Sequence, residues 1–521
     1  MPRRVELRVH PDVLEDDEAL RRAAARRAKI PVAEVAAVLV RRRSLDARKG
    51  RVKLALVVEV VSRDEAMPVE PAPRPIDLPA LHGEPPVVVV GAGPAGMFCA
   101  WALAQHGVRA RIFERGRPVR PRRHDLAALA KRGELNPESN YCFGEGGAGT
   151  FSDGKLYTRA HKRGDVAQVL SALVGYGAPA QILVDARPHI GTNRLPRVVT
   201  AMREHLESAG VRLGFERRVD GLRVEGGRVT GVRVGDETVA ARAVVLAVGH
   251  SARDVTRWLH DAGAPLSPKP FAVGVRIEHP QVLIDGLQFG ELAGHPALGA
   301  ASYRLVEQVA GVGSFSFCMC PGGFIVPAAT ERGGQVVNGW SPSSRRGRYA
   351  NSGFVTEVGP EQLRAEGLDP TDVFAGLQLQ RRLEQAAFEA GGGAYIAPAQ
   401  RLDDFVAGRA SPGLPACSYP RGLRAARLDQ LLGSLAEPMR QALRRIGERM
   451  PGFVCSEAIA VGMETRTSAP VRTDREPGSY QSPRIAGLYP CGEGAGFAGG
   501  IMSAALDGIR VARAVARSLG A

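Results

Sequence analysis

The stretch PPVVVVGAGPAGMFCAWALAQHGVRARIFERG, residues 85–116, decides the fold of this chain. Four consecutive valines, residues 87–90, are typical of a strand that is buried on both faces, and they run directly into the turn GAGPAG. A helix-forming run follows to His106, and a second apolar segment, residues 108–113, ends at Glu114. This order of strand, glycine turn, helix and strand predicts a βαβ unit with a parallel sheet.

Each part of this unit is suited to hold a dinucleotide. Gly91 permits the tight turn out of the strand, Gly93 lets a pyrophosphate approach the backbone, and Gly96 lets the helix pack closely on the sheet. The helix N-terminus then presents its N–H groups and its positive dipole end to the phosphates. Glu114, roughly twenty residues past the glycines, is placed to accept hydrogen bonds from a ribose. We therefore predict dinucleotide binding by an α/β domain of the Rossmann-like type.

Composition limits the class of protein. The chain has 521 residues, of which 44% are hydrophobic, so it can bury a large core in two or three domains. Its apolar runs are too short to span a bilayer, and its N-terminus lacks the apolar segment of a signal peptide. Seven scattered cysteines argue against a disulfide framework and for a reducing compartment. We expect a cytoplasmic protein without membrane partners.

The formal charge of +15 raises the question of nucleic-acid binding. Acidic and basic residues are interspersed through most of the chain, and the densest basic clusters, residues 41–43 and 120–123, contain no aromatic residues that could stack on bases. We therefore do not expect specific nucleic-acid binding. An anionic small-molecule substrate or an acidic redox partner fits the charge better, and the pattern predicts nothing about oligomeric state.

The chain divides into segments of different character. A proline-rich stretch, PVEPAPRPIDLPALHGEPP, ends where the nucleotide fold begins. Between about residues 265 and 460 the pattern changes to separate strands, among them 313–319 and 323–326, and two long helical stretches. The predicted segments are a small ferredoxin-like α+β module (1–66), a linker (67–86), the first part of the nucleotide-binding domain (87–264), an inserted α+β substrate or cap domain (265–460) and the C-terminal part of the nucleotide-binding domain (461–521).

The charged segment RRSLDAR, residues 42–48, lies between two predicted strands of the N-terminal module. Such a segment is either a charged hairpin loop or a contact that reaches the neighbouring domain. The sequence leaves both interpretations open.

A second glycine-rich stretch, NYCFGEGGAGTFSDGK, covers residues 140–155. It differs from a linker because Phe143 and Phe151 would anchor it in a core. Its many glycines allow the backbone to lie against a planar or phosphorylated ligand without obstruction by side chains. We predict that this stretch contacts the cofactor or the substrate.

Two later segments complete a family pattern: a buried strand ending at Gly249, and the closing turn CGEGAGFAGG, residues 491–500. With the first motif, they resemble FAD-dependent oxidoreductases of the glutathione-reductase-like class. More narrowly, FGEGGAGTFSDGKL, SFCMCPGG, METRTSAPV and LYPCGEGAGFAGGIMSAALDG resemble the signature segments of a bacterial family of uncharacterised FAD-dependent dehydrogenases. The N-terminal RRRSLDAR fits that family too. The resemblance covers essentially the whole chain and implies FAD as cofactor, held by a split FAD-binding domain.

The resemblance also implies roles for individual residues. The first motif would hold the ADP half of FAD, and Glu493 would bind its ribityl or pyrophosphate region. The helix that begins near Gly500 would point its positive end at the N1/O2 edge of the flavin and stabilise the anionic reduced form. The expected cofactor-binding residues are Gly91, Gly93, Pro94, Ala95, Gly96, Glu114, Arg115, Gly146, Gly147, Gly149, Thr150, Val219, Gly249, Gly492, Glu493, Gly499, Gly500 and Ile501.

One departure from the wider class concerns the electron donor. Enzymes of that class that bind NAD(P)H at a separate site carry a second GxGxxG fold, which this sequence lacks. NAD(P)H, if used, would therefore bind transiently at the flavin face, or the electrons come from another source.

Three side chains are candidates for catalytic chemistry. Arg466 could clamp an anionic substrate or the reduced flavin, or it could form a structural pair with a carboxylate. Lys155 lies in the second glycine-rich stretch, together with Asp153. Cys320 shares one strand face with Cys318, near the upper limit for an unstrained disulfide, so these are either redox-active residues or buried thiols beside a glycine turn.

The predicted reaction is hydride or electron transfer between FAD and a small organic substrate, by a dehydrogenase or a reductase. One alternative is a flavin-dependent monooxygenase or halogenase, although the tryptophan-containing halogenase signature is missing. The other is an RNA-associated flavoprotein that uses its basic surface. His250, after a strand end, is expected to be a surface or loop histidine.

Overall fold

The computed structural model describes residues 2–47, 51–68, 72–158 and 164–521. Its strands are β1 (Arg3–Val9), β2 (Val35–Asp46), β3 (Lys53–Ser62), β4 (Val87–Val90), β5 (Ala110–Phe113), β6 (Arg212–Gly214), β7 (Gly221–Glu225), β8 (Arg228–Val234), β9 (Glu237–Ala240), β10 (Ala243–Leu246), β11 (Leu266–Pro268), β12 (Phe271–Pro280), β13 (Val306–Val309), β14 (Val312–Pro327), β15 (Val337–Trp340), β16 (Tyr349–Val358), β17 (Ala397–Arg401), β18 (Leu423–Ala425), β19 (Ile459–Glu464), β20 (Val471–Thr473) and β21 (Leu488–Pro490). Its helices are α1 (Asp12–Glu15), α2 (Asp17–Ala28), α3 (Pro94–Gln105), α4 (Val119–Arg132), α5 (Val166–Gly175), α6 (Leu195–Ser208), α7 (Arg253–Asp261), α8 (Gln281–Phe289), α9 (Pro360–Ala365), α10 (Ala375–Gly391), α11 (Leu402–Ala407), α12 (Leu428–Leu431), α13 (Ala436–Arg449) and α14 (Ile501–Leu519).

The N-terminal unit is an antiparallel sheet in the order β1-β3-β2 that packs on α2. Asp16 caps this helix, because its side chain accepts hydrogen bonds from the N–H groups of Glu18 and Ala19. The buried alanines of α2 allow the helix to lie close to the apolar face of the sheet. The order βαββ corresponds to the first four elements of the ferredoxin-like order βαββαβ, and the last two are not found in the described part of this unit.

The charged segment of the N-terminal unit extends β2 to Asp46, so the hairpin-loop interpretation is wrong for residues 42–46. Arg43 instead reaches the next part of the chain, where a guanidinium nitrogen lies 2.9 Å from a carboxylate oxygen of Asp185. Its backbone N–H also donates to the carbonyl of Val184. Arg48, the last residue of the predicted segment, and residues 69–71 of the predicted linker lie outside the described residues.

The nucleotide fold is a parallel sheet in the order β21-β10-β4-β5-β6. All four valines of β4 are buried, because helices cover both faces of a parallel sheet. Two of these helices, α3 and α14, pack so closely that a Cβ atom at Gly508 would lie 2.2 Å from the carbonyl oxygen of Ala95. Because β4, β10 and β21 are parallel neighbours in this sheet, their carboxyl ends meet at one edge. The predicted Rossmann-like α/β fold is confirmed.

A second, mainly antiparallel sheet follows the order β13-β14-β16-β12-β19-β17-β18, with β15 paired to β14. Apolar residues of α10 and α13 cover one of its faces, so this region is α+β. The two strands predicted at 313–319 and 323–326 are one continuous strand, β14, because a bulge near Cys318 keeps the chain paired with β16. The predicted boundary after residue 460 falls within β19, and the domain division as a whole stays a prediction.

None of the helices in the described ranges combines the length and the apolar character needed to cross a membrane.

Candidate functional site

Close backbone contacts at the end of β4 explain the glycines of the first motif. A Cβ atom at Gly96 would lie 1.9 Å from the carbonyl oxygen of Gly91, so any larger residue would push α3 away from the turn. Gly91 has φ of +102°, and a Cβ atom there would lie 2.5 Å from the carbonyl oxygen of Ala247, which follows β10. Pro94 begins α3, where its missing N–H costs nothing. Gly93 faces open space apart from one distant contact with Gly147.

Glu114 lies directly after β5 and is almost completely buried. Its carboxylate accepts hydrogen bonds of 2.9 Å from the backbone N–H groups of Ala92, Gly116 and Gly144. A carboxylate has about four acceptor positions, so one remains for a ribose hydroxyl. Glu114 therefore fixes both glycine-rich segments to the sheet and still fits its predicted role.

The second glycine-rich stretch lies against the first motif. The N–H of Gly146 donates to the carbonyl of Ala92 over 2.8 Å. Arg122, which is fully buried, donates to the carbonyls of Asn140, Glu145 and Gly147 and so ties the stretch together. The side chain of Arg122 therefore has a structural role, and the glycine backbone of this stretch remains available to a ligand.

Two of the predicted contact residues in this stretch have structural roles as well. Thr150 is buried, and its hydroxyl donates to the carbonyl of Glu145 over 2.8 Å. Gly149 lies where a Cβ atom would be 3.0 Å from the side chain of Ile501, so this stretch touches the first turn of α14.

Arg115 and Val219 are held by the protein itself. Arg115 makes a bidentate pair with Glu138, at 2.7 and 3.0 Å, and a further ion pair with Asp254. Its guanidinium lies 4.3 Å from the ring centroid of Phe143. The Val219 side chain is buried in the core on one face of the sheet, so only its backbone is available for a cofactor.

The closing turn is organised by Asp507 in α14. Asp507 accepts the N–H of Gly492 over 2.9 Å and pairs with Arg475, whose guanidinium lies 3.7 Å from the ring centroid of Phe497. A Cβ atom at Gly494 would lie 2.4 Å from the carbonyl oxygen of Gly249, so the closing turn and the end of β10 are in backbone contact.

The start of α14 is open. Cβ atoms at Gly499 and Gly500 would meet no atom within 4 Å, and Gly500 has φ of +144°. The space beside these two glycines is therefore open, and a helix of 19 residues places its positive dipole end there.

These residues fit FAD. The first motif, the second glycine-rich stretch and the start of α14 meet, because a Cβ atom at Gly147 would lie 3.1 Å from Gly93 and one at Gly149 would lie 3.0 Å from Ile501. Among the described residues, the carboxyl group of Glu493 has no hydrogen-bond donor, as suits a residue that awaits a ligand hydroxyl. Burial raises the pKa of Glu493 to about 7, with Lys269 opposing the shift. Bound FAD supplies the redox chemistry, and these residues would bind and orient it.

Arg466 forms a buried cluster with two residues that the sequence analysis missed. Its guanidinium makes a bidentate pair with Glu384, at 2.7 and 3.0 Å, and Arg253 makes a second bidentate pair with the same carboxylate. Although burial alone would raise it, the two guanidinium groups hold the pKa of Glu384 at about 2. One nitrogen of Arg466, Nη1, is buried without a hydrogen-bond partner among the described residues. No sequence pattern links these three positions, which lie on separate elements.

His250 lies in the loop after β10, as expected, and it belongs to the surroundings of this cluster. Burial and the charges of Arg466 and Arg253 lower its pKa to about 4. His250 is therefore neutral at pH 7. With Gly249, Arg253 and Gly494 it lines a cavity at the carboxyl end of β10.

The other two catalytic candidates, Lys155 and Cys320, lie together. The Lys155 ammonium is 3.7 Å from the sulfur atoms of both Cys320 and Cys318. Cys320 is fully buried, and Arg276 of β12 donates to the carbonyl of Cys318 over 2.9 Å. The thiols thus lie within a strand and not beside a glycine turn.

Family models match several segments of the chain. The family described as FAD-dependent protein, C-terminal domain-like, matches residues 270–467, and the family described as FAD dependent oxidoreductase matches residues 188–290. An NAD(P)-binding Rossmann-like domain matches residues 89–120, and a domain of unknown function matches residues 1–61.

An uncharacterised protein of Clostridium beijerinckii is 43% identical over 430 residues, which cover 82% of this chain and 79% of the relative. A solved flavin-dependent brominase variant is 12% identical over 84% of this chain and 80% of that chain, with a TM-score of 0.36. A geranylgeranyl bacteriochlorophyll reductase-like protein from Thermoplasma acidophilum is 13% identical over 83% of this chain and 78% of that chain, with a TM-score of 0.34. By its sequence matches, this chain belongs to the bacterial family of FAD-dependent oxidoreductases, and its cofactor is FAD.

Proposed function

We propose that this enzyme transfers a hydride or an electron pair between FAD and a small anionic organic substrate. The observation that carries the proposal is the buried arginine pair at the carboxyl end of β10. Arg253 and Arg466 share the buried carboxylate of Glu384. Glu331 pairs with Arg253 and with the half-exposed Arg381, so three guanidinium groups face two carboxylates and the cluster has an excess of positive charge. His250 does not add to this charge at neutral pH, because its pKa is lowered to about 4 by burial and by the two arginines.

A buried excess charge is costly unless a ligand neutralises it. The free Nη1 of Arg466 can donate to one oxygen of a carboxylate or a phosphate. A substrate held in this way would lie beside the cavity lined by Gly249 and Gly494, whose backbones connect β10 to the closing turn. Ligands of open α/β sheets bind outside the carboxyl ends of the strands, which is where this cavity lies.

The test uses the FAD-loaded protein under anaerobic conditions. Small hydroxy acids, amino acids and phosphate esters are added, with neutral alcohols and amines as the comparison set, and the flavin absorbance is recorded. We expect bleaching with members of the anionic set only. Bleaching by NADH or NADPH alone would assign the electron donor and direct the search to an anionic electron acceptor.

A matched pair of variants connects the reaction to the arginine cluster. Arg466→Gln should raise the concentration of anionic substrate needed for half-maximal bleaching by about tenfold or more, since a lost charge-assisted hydrogen bond costs about 1.5–3 kcal/mol. Arg381→Gln is the control, because Arg381 touches the same cluster through Glu331 but is half exposed. Equal effects of both substitutions, or bleaching by neutral compounds only, would overturn the proposal.

A further inference from the structure

We propose that Cys318 and Cys320 are a redox-active dithiol in which Cys318 is the attacking thiolate, and that the oxidant class is a small-molecule disulfide. This proposal does not rest on the proposed function, because it concerns thiol chemistry at a different cluster. The carrying observations are the backbone of β14, the cations around the sulfur atoms and the unequal burial of the two residues.

The backbone of β14 places the sulfur atoms of Cys318 and Cys320 around one ammonium group, that of Lys155. In the pairing with β16, Phe317 faces Gly353 and Cys320 faces Asn351, so two residues of β14 oppose one residue of its partner. Cys318 has φ of +48°, a left-handed conformation that side chains other than glycine rarely adopt. At this bulge the Cys320 thiol donates to the carbonyl oxygen of Cys318 over 3.3 Å, and the sulfur atoms of both cysteines lie 3.7 Å from the ammonium group of Lys155.

Cations surround the pair. Lys155 lies 3.7 Å from both sulfurs, and Arg276 lies 3.7 Å from the sulfur of Cys320. The carboxylates available to neutralise these cations are few. Asp153 is shared between Lys155, at 3.5 Å, and Arg345, at 2.6 Å.

The carboxyl group that faces Arg276 is Glu464, and it is not fully ionised at neutral pH. Burial raises its pKa to about 7 in spite of the 2.8 Å ion pair with Arg276. Three cations in this region thus face two carboxyl groups, and a thiolate at Cys318 supplies the missing negative charge. The hydrogen bond from Cys320 lowers the pKa of Cys318 well below its usual value, and Lys155 and Arg276 outweigh the opposing effect of burial.

The two cysteines differ in solvent exposure, as expected for a thiol that attacks an external disulfide and a second thiol that resolves the mixed disulfide. Cys318 is partly exposed, whereas Cys320 is buried and keeps its proton, because its pKa is raised by the hydrogen bond to Cys318 and by burial. Burial also raises the pKa of Cys99, Cys142, Cys417 and Cys491, so these thiols are less nucleophilic.

The reaction balances with a disulfide RSSR as oxidant. The Cys318 thiolate attacks one sulfur of RSSR, a bond between Cys318 and SR forms, and RS⁻ leaves. The Cys320 sulfur then attacks Cys318, the second RS group leaves, and it takes up the proton that Cys320 loses as RSH. The two cysteines lose two electrons, and one disulfide is reduced to two thiols.

The first test is alkylation of the FAD-loaded protein by iodoacetamide, with each cysteine followed by peptide mass spectrometry between pH 5.5 and 9. The charged or titratable groups around Cys318 are Lys155, Arg276, Arg345, Asp153, Glu464, Glu493 and Cys320. At pH 6.5 we expect Cys318 to react at least about tenfold faster than the partly exposed Cys455. Lys155→Gln should remove most of that advantage, whereas Lys131→Gln, on the exposed surface of α4, should leave it intact.

The second test is oxidation of the same protein by glutathione disulfide. Wild type should form a crosslink between residues 318 and 320 without retained glutathione, Cys320→Ser should retain one glutathione at Cys318, and Cys318→Ser should form neither product. Thermal unfolding and bound-flavin absorbance show whether each variant is folded, and the wild-type alkylation profile decides alone if a variant is not. Reaction of Cys318 no faster than Cys455, or stable glutathione on wild-type Cys318 without a crosslink, would overturn the proposal.

Discussion

Two buried glutamates of this protein ionise differently because their neighbours differ. Glu384 faces two guanidinium groups, which hold its pKa at about 2 against the effect of burial. Glu464 faces one, and burial raises its pKa to about 7. The same side chain is therefore a fixed anion in one cluster and a titrating group at neutral pH in the other.

Glu384 should contribute stability that depends on pH. Its pKa is lower in the folded protein than the ordinary value of 4.5, so the contribution is complete above pH 4.5 and is lost as the pH falls toward 2. Glu384→Gln should remove about 3 kcal/mol at pH 7 and flatten the acid side of the stability profile. Urea unfolding between pH 2.5 and 8 measures this difference. Glu331→Gln is the control, since Glu331 pairs with the same Arg253 but is 36% exposed, and an equal loss in both variants would contradict the prediction.

The stability that Glu464 contributes should depend on pH with the opposite sign to that of Glu384. Because its pKa is higher in the folded than in the unfolded chain, the folded state holds a proton that the unfolded state releases between pH 4.5 and about 7. Stability from this group therefore falls as the pH rises through that window. Glu464→Gln, which keeps an acceptor for Arg276, should make the stability profile less steep there. A slope in urea unfolding that does not change would show that Glu464 is ionised throughout.

At the scale of elements, the approach of α3 to the end of β4 depends on one glycine. Gly96→Ala places a methyl group 1.9 Å from the carbonyl oxygen of Gly91. Neither the Cβ atom nor the carbonyl oxygen can move away by a side-chain rotation, so the backbone must shift. We expect a loss of FAD affinity of at least about a hundredfold, since one turn positions the helix N-terminus for the phosphates. Flavin fluorescence titration measures this affinity.

The matched control is Gly286→Ala in α8, where a Cβ atom would meet no atom within 4 Å. That substitution should leave FAD affinity unchanged and add up to about 1 kcal/mol of stability, because alanine favours a helix more than glycine does. Similar FAD affinities in both variants would show that the first motif does not hold the cofactor.

The open start of α14 predicts a change in reduction potential. Ser503→Asp puts a negative charge in the first turn of α14. This charge reduces the positive potential of the helix N-terminus and repels an anionic reduced flavin nearby. An interaction of about 1 kcal/mol corresponds to a potential lowered by about 20 mV for two electrons. Ser503→Asn is the neutral control of equal size. Potentials from equilibration with reference dyes that are equal in the two variants would place the flavin away from this helix.

At the scale of the whole molecule, the chain carries a formal net charge of +15, but many of its arginines lie in ion pairs and are not grouped in one basic surface patch by the sequence. Arg115, Arg203 and Arg217, for example, each face an acidic side chain within 3 Å. We therefore expect only weak, salt-sensitive binding to RNA, of the kind that counterion release alone produces. Fluorescence anisotropy with a labelled RNA at 50 and 200 mM salt measures it. Tight binding that persists at 200 mM salt would favour the RNA-associated alternative.

Local sequence determined the elements that carry the cofactor. The valines of β4, the spacing of Gly91, Gly93 and Gly96, and the long helix at Ile501–Leu519 follow from hydrophobic period, turn chemistry and helix length, which are properties of neighbouring residues. The family resemblance added FAD on the same basis. The prediction from neighbouring residues was wrong for β14, which was predicted as two strands. Its glycines and Pro321 are typical of a break, but the pairing with β16 keeps the strand continuous.

Only the tertiary structure decided which distant side chains meet. Arg466 joins Glu384 and Arg253, and Lys155 joins Cys318, across intervals of tens to hundreds of residues that carry no periodicity. Charges and thiols acquire their chemistry from burial and from neighbours within a few ångströms, and these are set when the sheets and helices pack. The sequence alone therefore determined the cofactor and the elements predicted to hold it, whereas the ionisation of Glu384, Glu464 and the Cys318–Cys320 pair depends on the packed fold.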